Sequence, residues 1–286
     1  MRRHTSIAIA SLAVVLSTSS LSADTGFLDR SVTLGGEVYR YQVYVPLQWN
    51  KQQRWPVILF LHGGSGRGRD GMLPTENSGL GDAIRRDRDR FPAIVVFPQL
   101  RGTRDRVESG VLIRGSGETW ANPTMQEQAL AALDASIKEF SGDPGRVYAV
   151  GLSLGGQGVL RIASRWPSRF AALVSVCGRV NIAQVGVGPN FDAYAEMDRR
   201  THPFLKAPDP FGALATIIKH HPVWLFHGDA DLVVPVDESR NLAAALKAAG
   251  ADVHYTEYAG VNHNAWDRAF AEPELVRWLL ARRREK

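Results

Sequence analysis

Arg146-Val147-Tyr148-Ala149-Val150-Gly151-Leu152-Ser153-Leu154-Gly155-Gly156-Gln157-Gly158 is the stretch whose reading decides the fold. It opens as an apolar, β-rich run, breaks at Gly151 and passes into a segment that reads as helix through Ile162. Inside the break, Gly151 to Gly155 has the Gly-x-Ser-x-Gly spacing of a nucleophile elbow, a sharp strand-to-helix turn that exposes a serine hydroxyl. Such a turn brings the backbone close to itself, so the flanking positions must be small. Gly151 and Gly155 supply that room, with Gly156 directly behind. Ser153 is thereby placed at a helix N-terminus, where an adjacent negative charge is favoured. The competing reading is a glycine-rich turn with a capping serine; the strand before it and the helix after it weigh against that.

Outward from the elbow, strand and helix patterns alternate. Val57–Leu61 and Ala93–Phe97 are continuous apolar runs, as strands buried on both faces require. Val38–Val45 follows the Gly35-Gly36 turn and alternates like a half-exposed strand. Asn122-Pro123 opens a helix with a cap residue and a proline in the first turn, and Leu130, Leu133, Ile137 and Phe140 mark its buried face. Ala171–Val176, Val223–Phe226 and Val253–Thr256 are further strands. This alternation predicts an α/β fold with a mainly parallel central sheet covered by helices on both faces. With 286 residues and 44 % hydrophobic content, one large domain accounts for the chain.

A serine hydroxyl is a poor nucleophile until a base takes its proton, and the base needs an orienting acid. In a sheet of this kind the chain order is serine, acid, histidine, each on a loop after a strand. The acid loop after Val223–Phe226 reads His227-Gly228-Asp229-Ala230-Asp231-Leu232-Val233-Val234-Pro235, and two aspartates compete. Asp231 is preferred, because the apolar Leu232–Val234 run behind it would pack it down, whereas Asp229 suits the turn itself. The loop after the last strand carries His263. His202, His220, His221, His227 and His254 take structural roles in this reading, and no histidine pair has metal-ligand spacing with a carboxylate partner, so no catalytic metal is expected.

An acyl-transfer site also needs donors for the oxyanion. One is the backbone N–H of Leu154; the other comes from His62-Gly63-Gly64-Ser65-Gly66, with Gly64 preferred and Ser65 the alternative. A phosphate loop is excluded there, since no Gly-Lys-Ser/Thr follows.

With these motifs in hand, the chain resembles an α/β-hydrolase of the carboxylesterase type. It is similar to the secreted group described as predicted peptidases, phospholipase/carboxylesterase-like or polyhydroxybutyrate-depolymerase-like esterases. The markers are Leu61-His62-Gly63-Gly64, Phe97-Pro98-Gln99, the elbow, Val223–Gly228, Asp231–Pro235 and His263-Asn264-Ala265-Trp266-Asp267, and the resemblance runs from about Val32 to the C-terminus. It implies Asp231 as the acid and Trp266 beside the site, with Ser65 and Gln99 in the substrate pocket. It implies no cofactor and an ester substrate, either a small molecule or one linked to a polymer. A polysaccharide-linked feruloyl or acetyl esterase, a secreted serine peptidase and a non-catalytic binding protein are the alternatives.

Such relatives have a short connection after the strand ending near Cys177, whereas here 178–222 intervenes. Loops of that length inside a domain are usually functional or disordered. The segment is expected to be a lid or acyl-pocket wall, with Phe191, Tyr194, Phe204 or Phe211 crowding the acyl side and favouring short chains. Residues 1–23 read as an export signal: Arg2-Arg3-His4, an apolar run from Ile7 to Leu16, and a small polar tail to Ala23. That run is too short for a stable bilayer span. Net charge is +5, or +3 without Arg2 and Arg3, and the arginines form no stripe interleaved with aromatics, so nucleic acid is not an expected partner. The single cysteine, Cys177, reads as a buried core residue, and oligomeric state is left open. Two charged stretches read as ordinary surface: Arg85–Arg90 as a solvated helix end and Arg282–Arg284 as the end of the last helix.

Overall fold

A computed structural model describes residues 25–76, 79–103, 106–108, 111–113, 117–181 and 191–284. The expected export segment, 1–23, lies outside the described residues, as does 182–190 of the expected insertion. In chain order the elements are β1 (Gly26–Leu34), β2 (Glu37–Val45), β3 (Trp55–Leu61), α1 (Leu80–Arg86), β4 (Ile94–Pro98), β5 (Arg106–Glu108) and β6 (Val111–Ile113). There follow α2 (Pro123–Glu139), β7 (Gly142–Leu152), α3 (Leu154–Arg165), β8 (Ala172–Val176), α4 (Phe191–Thr201) and α5 (Pro210–Ile218). The chain ends with β9 (Val223–Gly228), α6 (Asp237–Ala248), β10 (Val253–Tyr258), α7 (Trp266–Ala271) and α8 (Pro273–Leu280).

Eight strands form one sheet in the order β1-β2-β4-β3-β7-β8-β9-β10. The β1–β2 and β2–β4 pairs are antiparallel, and the remaining pairs are parallel. The parallel strands β3, β4, β8 and β9 are covered on both faces because they are apolar on both, whereas the parallel edge strand β10, VHYTEY, is partly exposed. Val57, Leu59 and Leu61 of β3 face the cluster that includes α2, α3, α5 and α6, while Ile58 and Phe60 face the cluster with α1, α7 and α8. Asn122 caps α2 as expected, its side chain accepting the N–H of Thr124 at 2.9 Å.

Strand order reverses between β3 and β7. From β3 the chain goes to β4 on one side, then crosses back to place β7 on the other. Leu61 at the end of β3 lies in register with Gly151 of β7, and Gly151 with Ser175 of β8. The loops after β3 and β7 therefore meet at one crevice at the carboxyl ends of the strands, where sheets of this kind bind their ligands.

One surface expectation changes and another is filled out. Helix α8 ends at Leu280, and the arginines beyond it tie the C-terminus down: Arg282 pairs with Asp252 at 3.2 Å, and Arg283 with Asp143 at 2.7 Å. Residues 85–89 are exposed at the end of α1, as expected, but the stretch also braces the fold, with Arg85 4.4 Å over the Phe27 ring and Arg90 donating to the carbonyls of Phe270 and Glu272. Among the described residues no helix is long and apolar enough to cross a membrane.

Candidate active site

Ser153 sits between the last residue of β7 and the first of α3 with φ +52° and ψ −117°. A non-glycine residue in that region is strained, and strain of this kind concentrates at functional sites. Close packing explains the glycines: a Cβ on Gly155 would overlap the Leu61 carbonyl oxygen, and one on Gly151 would overlap that of Gly155. The Leu154 N–H is the first donor of α3 and has no carbonyl one turn back to pair with. The loop after β3 reaches the elbow, since a Cβ on Gly63 would stand 3.6 Å from Ser153 Cβ. Gly64 opens a single 3-10 turn, Gly64–Gly66, so its N–H likewise begins a turn.

His62 sets that loop. Leu100 N–H donates to His62 Nε2 at 3.0 Å, so Nδ1 carries the proton and donates to the Gly63 carbonyl at 2.5 Å. Burial lowers its pKa to about 4, keeping it uncharged. The Trp120 indole N–H fixes the His62 carbonyl at 3.0 Å and packs edge-on to its ring.

Ser153, His263 and Asp231, predicted from three separate loops, stand in one line. Ser153 Oγ is 2.8 Å from His263 Nε2, and His263 Nδ1 is 2.7 Å from Asp231 Oδ2. A carboxylate accepts, so Nδ1 holds the imidazole proton and Nε2 is left to accept from the serine. The Asp231 side chain is fully buried. Burial alone would raise its pKa, but the bonds from His227 and His263 and the N–H groups of Val234 and Val233 hold it well below the usual carboxylate range.

The expected reason for preferring Asp231 was wrong in one respect. Leu232 and Val233 do not pack it down; they are 87 % and 55 % exposed. The loop acts through its backbone instead, with Val233 and Val234 N–H donating to Asp231 Oδ1 at 2.8 and 2.9 Å. Asp229 serves the turn, accepting Gly260 N–H at 2.7 Å.

Several supporting groups carried no functional signal in the sequence. His227 Nε2 faces Asp231 Oδ2 at 3.2 Å and the Val234 carbonyl at 3.0 Å, so it donates there while Nδ1 accepts from Ser239 at 2.7 Å. Asn262 Oδ1 accepts from Leu232 N–H at 3.1 Å and His263 N–H at 2.7 Å, joining the acid and histidine loops. Cys177 is buried as expected, but under the site: its thiol donates to the His263 carbonyl at 3.3 Å. Cys177, Asp231 and His263 bring one donor atom each to within 4.8 Å of one another. Burial pushes the thiol's pKa up, which disfavours the thiolate a metal would need.

A cavity of about 290 Å³ opens beside Ser153. Leu154, Val233 and Val234 are its apolar walls; Arg67, Arg179, Thr119, Gln157 and Tyr194 are its polar ones. Tyr194 comes from α4 in the expected insertion, and its hydroxyl accepts from Gln157 at 2.9 Å. Helix α4 is docked by a buried pair, Arg161 Nε to Asp198 Oδ1 at 2.9 Å, with His202 Nδ1 donating to the same carboxylate at 2.6 Å.

Other expected pocket residues lie elsewhere. Phe204 is 5 % exposed in the core beneath Arg161, Phe211 packs on the same core, and the Phe191 side chain lies outside the described residues. Gln99 is not beside Ser153. It lines a separate depression, and its amide binds the Gly66 carbonyl and Asp70 at 3.1 Å each and receives Gly71 N–H at 2.7 Å, bracing the loop after β3. Ser65 is exposed and does not line the cavity. Trp266 stands where expected, edge-on to His263 with ring centroids 5.5 Å apart.

A parallel sheet with a serine elbow at its switch point and an acid and histidine on the following loops defines a member of the α/β-hydrolase superfamily. Within it, the chain belongs to the prolyl oligopeptidase family, whose profile matches residues 93–281, more than half of the chain. It is 28 % identical over 165 residues to isoprenylcysteine alpha-carbonyl methylesterase of Arabidopsis thaliana, covering 49 % of this chain and 38 % of that protein. The chain thus spans under half the length of that curated relative. The fold is similar to a thermostable esterase, with TM-score 0.69, 23 % identity and coverage of 90 % of this chain and 63 % of that one. It is also similar to the acylaminoacyl peptidase of Pyrococcus horikoshii (TM-score 0.63, 16 % identity, 92 % and 42 % covered). A ferulic acid esterase gives TM-score 0.63 at 16 % identity, covering 89 % and 97 %. At these identities the likeness is one of fold.

Proposed function

We propose that the protein is a serine hydrolase of carboxylic esters with short acyl groups. The observation that carries this reading is the Ser153–His263–Asp231 line, with contacts of 2.8 and 2.7 Å. In this mechanism His263 Nε2 takes the Ser153 proton as Oγ attacks the ester carbonyl. Asp231 holds the imidazole in the tautomer that leaves Nε2 free and stabilises the imidazolium that forms. The N–H groups of Leu154 and Gly64 receive the oxyanion. His263 then returns the proton to the leaving alcohol, and water repeats the sequence on the acyl-enzyme. The chemistry needs no cofactor. The preference for short acyl groups is inferred from Tyr194, which stands in the cavity wall beside Ser153. The methylesterase relative supports an ester substrate, whereas the family match favours a second reading, cleavage of an amide in a peptide.

Hydrolysis of nitrophenyl esters from acetate to decanoate, set against peptide anilides, separates the two. The proposal expects acetate to butyrate to be preferred, with Ser153→Ala inactive on all. Anilide turnover exceeding ester turnover would replace it with the peptidase reading. We further propose that 1–23 is removed on export, so that protein recovered outside the cytoplasm begins near Ala23 or Asp24; an intact Met1 there would contradict it.

A further inference from the structure

Arg179 has no part in the acyl-transfer scheme, yet it lines the cavity beside Ser153. Its position is fixed from both sides. Gly178 packs so tightly on α3 that a Cβ there would come within 2.6 Å of the Gly156 carbonyl carbon and 2.9 Å of Gln157 N. On the other side, Arg161 donates to the Val180 carbonyl at 2.9 Å, and Val180 and Asn181 N–H donate to Glu238 Oε2 at 2.8 and 2.9 Å. The backbone from which the Arg179 side chain springs is thus fixed beside the cavity.

A guanidinium has five N–H donors in a planar fork. That of Arg179 donates through one terminal nitrogen to the Val233 carbonyl at 3.0 Å; its Nε is buried out of a ligand's reach, and its second terminal nitrogen is not buried and has no partner among the described residues. Glu238 and Asp231 attract its charge through space, but neither carboxylate is bonded to it among the described residues. Glu238 receives the two backbone N–H groups just described, and both oxygens of Asp231 are occupied by His227, His263, Val233 and Val234. A cavity for a purely aliphatic acyl chain gains nothing from a cation in its wall, and burying an unsatisfied polar group is costly. A carboxylate on the substrate would meet the accessible end of the guanidinium through its terminal nitrogens, in the planar pairing for which arginine is suited.

We propose that the ester cleaved at Ser153 carries a carboxylate and that Arg179 binds it. This rests on the ester-hydrolase reading of Ser153. The carboxylate can stand on either side of the scissile bond, and the substrates tested distinguish the two. On the acyl side, monomethyl glutarate is compared with methyl pentanoate; on the alcohol side, 3-acetoxypropanoate is compared with propyl acetate. The expected result is at least a tenfold higher kcat/KM for the acid-bearing ester of one pair. That preference should disappear in Arg179→Gln through a rise in KM, and Arg179→Lys should restore part of it. Because the ratio is taken within one protein preparation, a loss of folded material does not alter it. A neutral ester preferred in both pairs, or an acid preference unchanged in Arg179→Gln, overturns the proposal. Calorimetric titration of Ser153→Ala protein with the two acid-bearing esters reads the site without turnover. Binding that vanishes in Ser153→Ala/Arg179→Gln supports the anion site, and its absence for both esters overturns it. Failure of the ester-hydrolase reading has a different signature, in which wild type turns over none of the four esters.

Discussion

Asp231 is the most heavily constrained side chain of the site, and its partners rank the substitutions around it. Asp231→Asn keeps the shape but presents an amide donor where His263 Nδ1–H must donate, so kcat should fall by about 10⁴. Asp229→Asn keeps an amide oxygen to accept the Gly260 N–H, costs about 1 kcal/mol of stability or less, and should leave kcat within about threefold. Steady-state kinetics on both purified variants check the ranking, and the reverse order would mean that the acid is misassigned. His227 positions the acid without touching substrate. His227→Gln, which loses a hydrogen bond to a charged group worth about 1.5–3 kcal/mol, should lower kcat roughly 10–100-fold with little change in KM. A His227→Gln enzyme that differs only in KM would argue against that role. Sequence spacing placed the serine, acid and histidine because each follows a recognisable strand. It could not show His227 or Asn262 in support, since their role depends on which atoms the folded loops bring opposite them.

At the scale of elements, the elbow was legible because sterics force small residues at Gly151 and Gly155. Gly155→Ala puts a methyl group into the Leu61 carbonyl, so it should be strongly destabilising or yield no soluble protein, as thermal melting of any recovered material would show. The central parallel strands were legible because burial on both faces makes them continuously apolar. Strand β1 carries no such signal: it is an antiparallel edge strand, GFLDRSVTL, with alternate residues exposed and no apolar run to mark it. The insertion was legible as an anomaly of length but not in its contacts, because aromatic residues mark burial without saying against what. Tyr194 of α4 faces the cavity, whereas Phe204 belongs to the core. Tyr194→Ala should therefore shift the preferred acyl chain from butyrate towards hexanoate or longer. Phe204→Leu should lower the melting temperature without moving the chain-length profile. Equal profiles for wild type and Tyr194→Ala would remove α4 from the pocket wall.

For the whole molecule, buried histidines couple stability to pH. Burial lowers the pKa of His62 and of His221 to about 4 from an ordinary value of 6.5, and that of His202 is lowered as well. The unfolded chain then binds more protons between pH 6.5 and pH 4, so stability is full above that window and is lost as pH falls through it. His62 and His221 should each account for about 1–2 kcal/mol between pH 7 and pH 5. Asp231 acts in the same direction but only below its ordinary value of 3.8, outside this window. Urea unfolding at pH 7 and pH 5 measures the slope, and His62→Gln should flatten it. A stability equal at the two pH values would contradict the buried, uncharged state of these rings.

The central claim is that one serine, activated by His263 and Asp231, carries the chemistry, and the intact mass of the protein reads it directly. After brief incubation with a fluorophosphonate, wild type should gain one phosphonyl group, located by peptide mapping on Ser153. Ser153→Ala should gain none, and His263→Ala should react at least about a thousandfold more slowly, since the hydroxyl is a weak nucleophile without its base. Full single labelling of Ser153→Ala, or of another residue in wild type, would contradict the account.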